Sequence, residues 1–263
     1  MHIFCEIQSI MFFSKIIKIF ISIGIFLFFC SFPCPAFSGA NPDTVLLLHG
    51  LGRKAGSMAY MAERLAEEGY HVVNLAYPSR QRNIDTLVEY LRKSLAECCL
   101  NTASRLHFVT HSLGGIIIRA YLSGSRPANL GRVVMLSPPN KGSEVVDFFG
   151  GYRLFTYFFG PAAAELGTDP NSLPNRLGPA DFEVGIITGD RTIDPISSWI
   201  IDGDDDGKVS IEQARLEGMA AFRVVHVSHA FIMKDPGVVS EVIYFLQNGR
   251  FSKPVSPKTS KNK

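Results

Sequence analysis

Six short apolar runs recur along the chain. They are TVLLLH at Thr44–His49, HVVNLAY at His71–Tyr77, LHFVT at Leu106–Thr110, RVVMLS at Arg132–Ser137, EVGIIT at Glu183–Thr188 and FRVVHV at Phe222–Val227. Most are continuous in Val, Ile and Leu and do not alternate with polar residues. A strand of that kind must be covered on both faces. Helical patterns fall between the runs. Met58, Met61, Leu65 and Ala66 share one helix face, and Ile84, Leu87, Val88, Leu91 and Leu95 share another. Val238, Val239, Val242, Ile243 and Leu246 mark a last helix. Buried strands separated by helices predict an α/β fold, a mostly parallel central sheet with helices on both faces. With 263 residues, 46% of them hydrophobic, one core is sufficient, and a single domain is expected over residues 41–250.

The ends read differently. Lys15 and Lys18 precede the apolar run IFISIGIFLFF at Ile19–Phe29, and SGA at Ser38–Ala40 has small residues at both ends. This is the pattern of a secretory signal, so residues 1–40 are expected to direct export and to be cleaved after Ala40. The rival reading is an uncleaved N-terminal anchor, which would attach the protein to a membrane, although the apolar run is short for a full span. The protein is thus expected to be exported: periplasmic, secreted, or held at the membrane by this segment. Residues 251–263 are polar and basic, and a disordered tail is expected there. A formal net charge of +2 provides no basic face for nucleic acid. Three of five cysteines lie in the leader. Adjacent Cys98 and Cys99 close a predicted helix and are expected to pack there as thiols.

One region breaks the strand–helix rhythm. Between Asn140 and Pro179 no strand is predicted, and DFFGGYRLFTYFFGP at Asp147–Pro161 is dense in aromatics. A short cap insertion is expected at about residues 143–180, with Phe148, Phe149, Phe155, Tyr157, Phe158 and Phe159 lining an apolar pocket or completing the core.

Between the third run and the next helix lies VTHSLGG, Val109–Gly115. A serine flanked by small residues at a strand-to-helix turn has its hydroxyl lifted clear of the sheet. The N–H of Leu113 would sit at a helix N-terminus, where negative charge is favoured. HGLGR at His49–Arg53 ends the first run, and its glycines let the loop approach the serine turn. The N–H of Leu51 would then join that of Leu113 in an oxyanion hole.

HGLG followed by THSLGG resembles the α/β-hydrolase fold family, in its lipase/esterase-like branch, from Thr44 to Gly249. SPPNKGS at Ser137–Ser143 is similar to the loop that such proteins carry before their cap. Thr110 stands where the family usually has glycine. The fold's first two antiparallel strands have no counterpart after the leader, which implies a compact version. The resemblance implies a nucleophile–acid–base order along the chain. Ser112 would be the nucleophile. Asp206, in the segment Asp206–Val209 (DGKV), would be the acid, with Asp205 and Asp194 as alternatives. His229, in VSHAFI, would be the base.

The acid loop has a second reading. In DGDDDGKVSIEQ, Asp202–Gln213, three aspartates and Gly207 fall on calcium-loop positions. The flanks do not fit, because Pro195 precedes the loop and Gln213 takes the place of the closing Glu. The triad reading is therefore preferred, with no metal and no cofactor expected. Calcium at Asp202–Asp206 is kept as the lesser alternative. The implied function is a serine hydrolase of carboxylic esters, with lipid-like acyl esters as substrate. A thioesterase or acyltransferase on the same triad, or a non-catalytic hydrolase-fold binding module, are the alternatives.

Overall fold

The computed structural model describes residues 41–98 and 104–253. The leader at 1–40, Cys99 and the tail from 254 onward lie outside the described residues. All six apolar runs form strands: β1 Thr44–Leu48, β2 His71–Leu75, β3 Leu106–His111, β4 Leu130–Leu136, β5 Val184–Gly189 and β6 Ala221–Val225. They build one sheet in the order β2-β1-β3-β4-β5-β6, and every pairing is parallel.

Successive residues of a strand point to opposite faces, and the core splits accordingly. Leu46, Leu48, Phe108, Val133 and Met135 face one way. They meet helices α2 (Ile84–Cys98) and α3 (Leu113–Gly124), which contribute residues such as Leu91 and Ile117. Val45, Leu47, Val109, Val134 and Ile187 face the other way. They meet α1 (Ala59–Glu67) and α10 (Pro236–Asn248), through Met61, Leu65, Val242 and Phe245. The expected two-sided coverage is therefore present in the structure.

Between β4 and β5 the chain forms no strand. It folds into four short helices, α4 Glu144–Phe149, α5 Arg153–Phe159, α6 Pro161–Ala164 and α7 Leu173–Arg176. Glycines at 150, 151 and 160 separate the first three, since glycine is a poor residue for continuing a helix. Short helices α8 (Pro195–Ile200) and α9 (Ile211–Ala214) flank the acid loop after β5.

Two expectations are corrected. Cys98 is disulfide-bonded and not a packed thiol, and its partner lies outside the described residues. His226 does not lie inside the last strand. It falls just beyond β6, with an exposed ring paired to Asp190 at 2.8 Å. At the other end, Phe251 packs on Phe245, and Ser252 bonds Glu241. Among the described residues, no helix is long and apolar enough to cross a membrane.

Candidate active site

In the strand order, β1 has β2 on one side and β3 on the other, so the winding direction reverses between β1 and β3. Loops leaving the carboxyl ends of two such strands diverge and leave a crevice, which is where open parallel sheets hold ligands. The loop after β1 is His49–Arg53, and the turn after β3 carries Ser112. The acid loop and His229 follow β5 and β6 at the same edge.

Ser112 adopts φ 52° and ψ −120°, a backbone conformation rare for any residue but glycine. Its N–H donates to Leu136 O at 2.9 Å, which ties the turn to β4. The chain then reverses directly into α3. A Cβ added at Gly114 would lie 2.7 Å from Leu48 O, and one at Gly50 would lie 2.7 Å from His111 Nδ1. Glycine at these positions is what lets the β1 loop press against the serine turn. Thr110, in the usual glycine place, is fully buried in β3.

The β1 loop is held from behind. The Tyr77 hydroxyl donates to His49 O, and its ring stacks on His49 with centroids 4.1 Å apart. Ser79 Oγ accepts from Gly52 N at 3.1 Å. Among the described residues, the N–H groups of Leu51 and Leu113 have no hydrogen-bond partner. Each is at the position an oxyanion donor would need in the chain.

Asp206 is fully buried. Its Oδ2 accepts from His229 Nδ1 at 2.8 Å, and its Oδ1 accepts from the N–H of Lys208 at 3.1 Å and of Val209 at 3.0 Å. Its main-chain oxygen also accepts from His229 N at 2.8 Å. With the carboxylate accepting at Nδ1, the neutral imidazole keeps the lone pair of Nε2 for other chemistry.

Asp205 and Asp194 are differently engaged. Asp205 Oδ1 accepts from Ser198 Oγ at 2.7 Å and from Gly207 N at 2.6 Å. Asp194 caps α8 through Ser197 N and pairs with Lys208 Nζ. The ammonium of Lys208 beside it holds its carboxyl down at about 2. Neither touches His229. Among the described residues, no group of three or more His, Cys, Asp or Glu is arranged to hold a metal ion.

Ser112 and His229 line one cavity of ≈190 Å³. Its walls are mainly apolar, with Leu51, Val146, Phe155, Phe159, Leu166 and Val209. Among the described residues, Ser112 Oγ makes no hydrogen bond, so hydroxyl and imidazole share the cavity without one between them. Of the six aromatics expected to line a pocket, only Phe155 and Phe159 reach this cavity. Phe148 and Phe158 are about half exposed, and Tyr157 is 81% exposed. Phe148 and Phe158, but not Tyr157, border a groove of ≈500 Å³ that shares Val145, Phe155, Phe159 and Lys208 with the cavity.

Two buried residues near the site, His111 and Arg119, are given no role by the sequence motifs. His111, next to the serine, is buried. Its Nε2–H donates to His229 O at 3.1 Å, and its ring lies 4.8 Å from that of His229. Burial, followed by His229 and Arg53, keeps its proton affinity well below that of a free histidine. Arg119 on α3 is also buried. It donates to the carbonyls of Asn140, Pro174 and Gly178, which fastens the insertion to the helix behind Ser112. Burial lowers its pKa to about 10.

Comparison with known proteins adds a partial family match and a set of similar folds. Residues 44–168, just under half of the chain, match the family model for palmitoyl protein thioesterase. No curated protein matches the chain in sequence. Among solved structures, a phospholipase from Legionella pneumophila superposes with a TM-score of 0.63 at 16% identity, over 80% of this chain and 60% of its own. The chain thus spans less than two thirds of that enzyme's length. A Bacillus licheniformis lipase in its mature form gives 0.59 at 17% identity, over 82% of this chain and 96% of its own. A metagenomic carboxyl esterase gives 0.59 at 17% identity, over 77% and 69% respectively. At such identities the likeness is one of architecture. With its parallel sheet, its strand-to-helix serine turn and these neighbours, the chain has the α/β-hydrolase fold.

Proposed function

We propose that the protein is a serine hydrolase acting on carboxylic esters with apolar acyl groups. The observation that carries this reading is the His229–Asp206 pair, buried at 2.8 Å and opening on the same apolar cavity as Ser112. His229 Nε2 takes the proton of Ser112 as Oγ attacks the carbonyl carbon. The N–H groups of Leu51 and Leu113 stabilise the oxyanion. His229 then protonates the leaving oxygen, and the acyl-enzyme forms. Water, deprotonated by the same imidazole, releases the acid. Asp206 orients the ring and stabilises its charged form. The hydrogen bond between Ser112 and His229 would form as substrate fills the cavity, since such bonds commonly tighten only in the complex.

A fluorophosphonate probe should label the protein, and Ser112→Ala should abolish both labelling and ester turnover. The loss of turnover is expected to be on the order of 10⁵-fold. Full turnover in Ser112→Ala would sink the reading. A dead binding module would leave the wild type unlabelled.

The family model favours a second reading on the same residues, a thioester substrate. The chemistry differs only in the leaving atom. Matched octanoyl ester and thioester substrates decide it, through the ratio of their kcat/KM values. Export, read from the leader at residues 1–40, is a further part of the proposal, testable by fractionation of cells that express the full chain.

A further inference from the structure

A second cavity, of ≈340 Å³, also borders His229. It is lined by Arg53, Ile193, Pro195, Ile196 and Lys208 as well as His229, and Asp194 and Asp206 border it. Arg53, Lys208 and His229 are shared with the cavity that holds Ser112, so the two spaces meet at these residues. If the acyl chain occupies the apolar cavity, the group protonated by His229 leaves past the imidazole, toward the second cavity.

The charges around that exit are unequally committed. Asp206 is engaged by His229 and two backbone N–H groups. Asp194 is engaged by Lys208 and Ser197, which also occupies the ammonium of Lys208. Arg80, beside Gly52, donates to Phe158 O. Among the described residues that line the two cavities, Arg53 alone carries a formal charge with neither an ion pair nor a side-chain hydrogen bond. Its guanidinium offers five donors in a planar fork, a shape that matches phosphate oxygens. It is set in the loop that would supply one oxyanion donor, only two residues from Leu51.

We propose that Arg53 is a specificity residue for a phosphate on the leaving alcohol, so that the preferred substrate is an acyl ester with a phosphate a few bonds from the scissile oxygen. This rests on the ester-hydrolase reading above. Nearness decides the class: Arg53 lines the cavity of Ser112 itself, so its partner must sit close to the bond that breaks. A glycerol phosphate ester meets that condition. An ester whose phosphate is a dozen bonds away does not.

The test is a matched pair, 1-octanoylglycerol 3-phosphate and 1-octanoylglycerol, with wild type, Arg53→Gln and Arg53→Lys. Wild type should favour the phosphate ester by about tenfold in kcat/KM, the scale of one exposed charge-assisted contact. Arg53→Gln should bring the ratio near one, and Arg53→Lys should restore part of it. A ratio near one in wild type, or a ratio unmoved by Arg53→Gln, overturns the proposal. Calorimetric binding of the same two esters to Ser112→Ala, with and without Arg53→Gln, reads the contact without turnover. Discriminating binding with no hydrolysis by wild type would defeat the hydrolase reading and leave the phosphate contact standing. Hydrolysis of both esters without discrimination would do the reverse.

Discussion

Two segments border the cavity at Ser112 and are built in contrary ways. The first, β3 and α3, is buried along almost its whole length, and Gly114 and Gly115, with Gly50 of the facing β1 loop, leave room for little more than hydrogen. The second, the insertion of α4 to α7, presents Phe148, Tyr152, Leu154, Tyr157, Phe158 and Phe159 to solvent. Close packing fixes the position of Ser112, because atoms with no free volume cannot drift. A face of exposed aromatics fixes little of the fold. Its value must lie in what it meets, here an apolar groove continuous with the cavity.

The sharpest way to break the contrast is at the rigid side's partner. Asp206→Asn should lower kcat on the order of 10⁴-fold by disfavouring the Nδ1–H tautomer of His229. Asp205→Asn and Asp194→Asn, whose carboxylates do not touch His229, should lower it by less than about tenfold. Steady-state kinetics of the three variants checks this. Equal losses would reopen the choice of acid.

Gly114→Ala comes next. The new methyl group meets a backbone carbonyl at 2.7 Å, so the turn must move. A stability loss of about 2–3 kcal/mol is expected from overpacking of this kind. Gly124→Ala, where nothing lies within 4 Å, should fall within about 0.5 kcal/mol of wild type. Chemical denaturation of both variants reads the difference.

Acid should also act on the buried side. His49, His107 and His111 are buried, and burial lowers each below the ordinary value of 6.5. The unfolded chain then takes up protons near 6.5 that the folded chain refuses. The stability these groups allow is present above about pH 6.5 and is lost as pH falls below it. The slope is at most about 1.4 kcal/mol per pH unit for each histidine. Tm measured from about pH 7.5 to 5 should fall, and His111→Asn should flatten the decline.

The smallest effect belongs to the insertion. Phe148→Ser and Phe158→Ser, both at half-exposed groove positions, should shift stability by about 0.5 kcal/mol or less. Their activity on octanoyl esters relative to acetyl esters should fall. An unchanged ratio would separate the groove from the substrate path.

The sheet was legible because strands buried on both faces cannot hide their composition. The six runs and the strand-to-helix turn at Ser112 could be read before any coordinates. That His229 bonds Asp206 and not Asp205 could not be read from the sequence, because neighbours on one loop differ only in the direction each side chain takes. His226 was placed inside a strand that ends at Val225. The insertion was legible as a helical, aromatic segment and not as a solvent-facing one, since composition does not state which side of a helix is covered. Tyr77, Ser79 and Arg119 had no motif. They act by holding backbone carbonyls and loops from distant segments, and such partners are set by the fold.

The tight contact between Gly114 and Leu48 has an evolutionary corollary. Drift at Gly114 is closed off, because any side chain there collides with the Leu48 carbonyl. New preferences in descendants of this sequence would arise more readily at the exposed aromatics of the insertion and at Arg53 itself, where a changed side chain meets water and disturbs few neighbours.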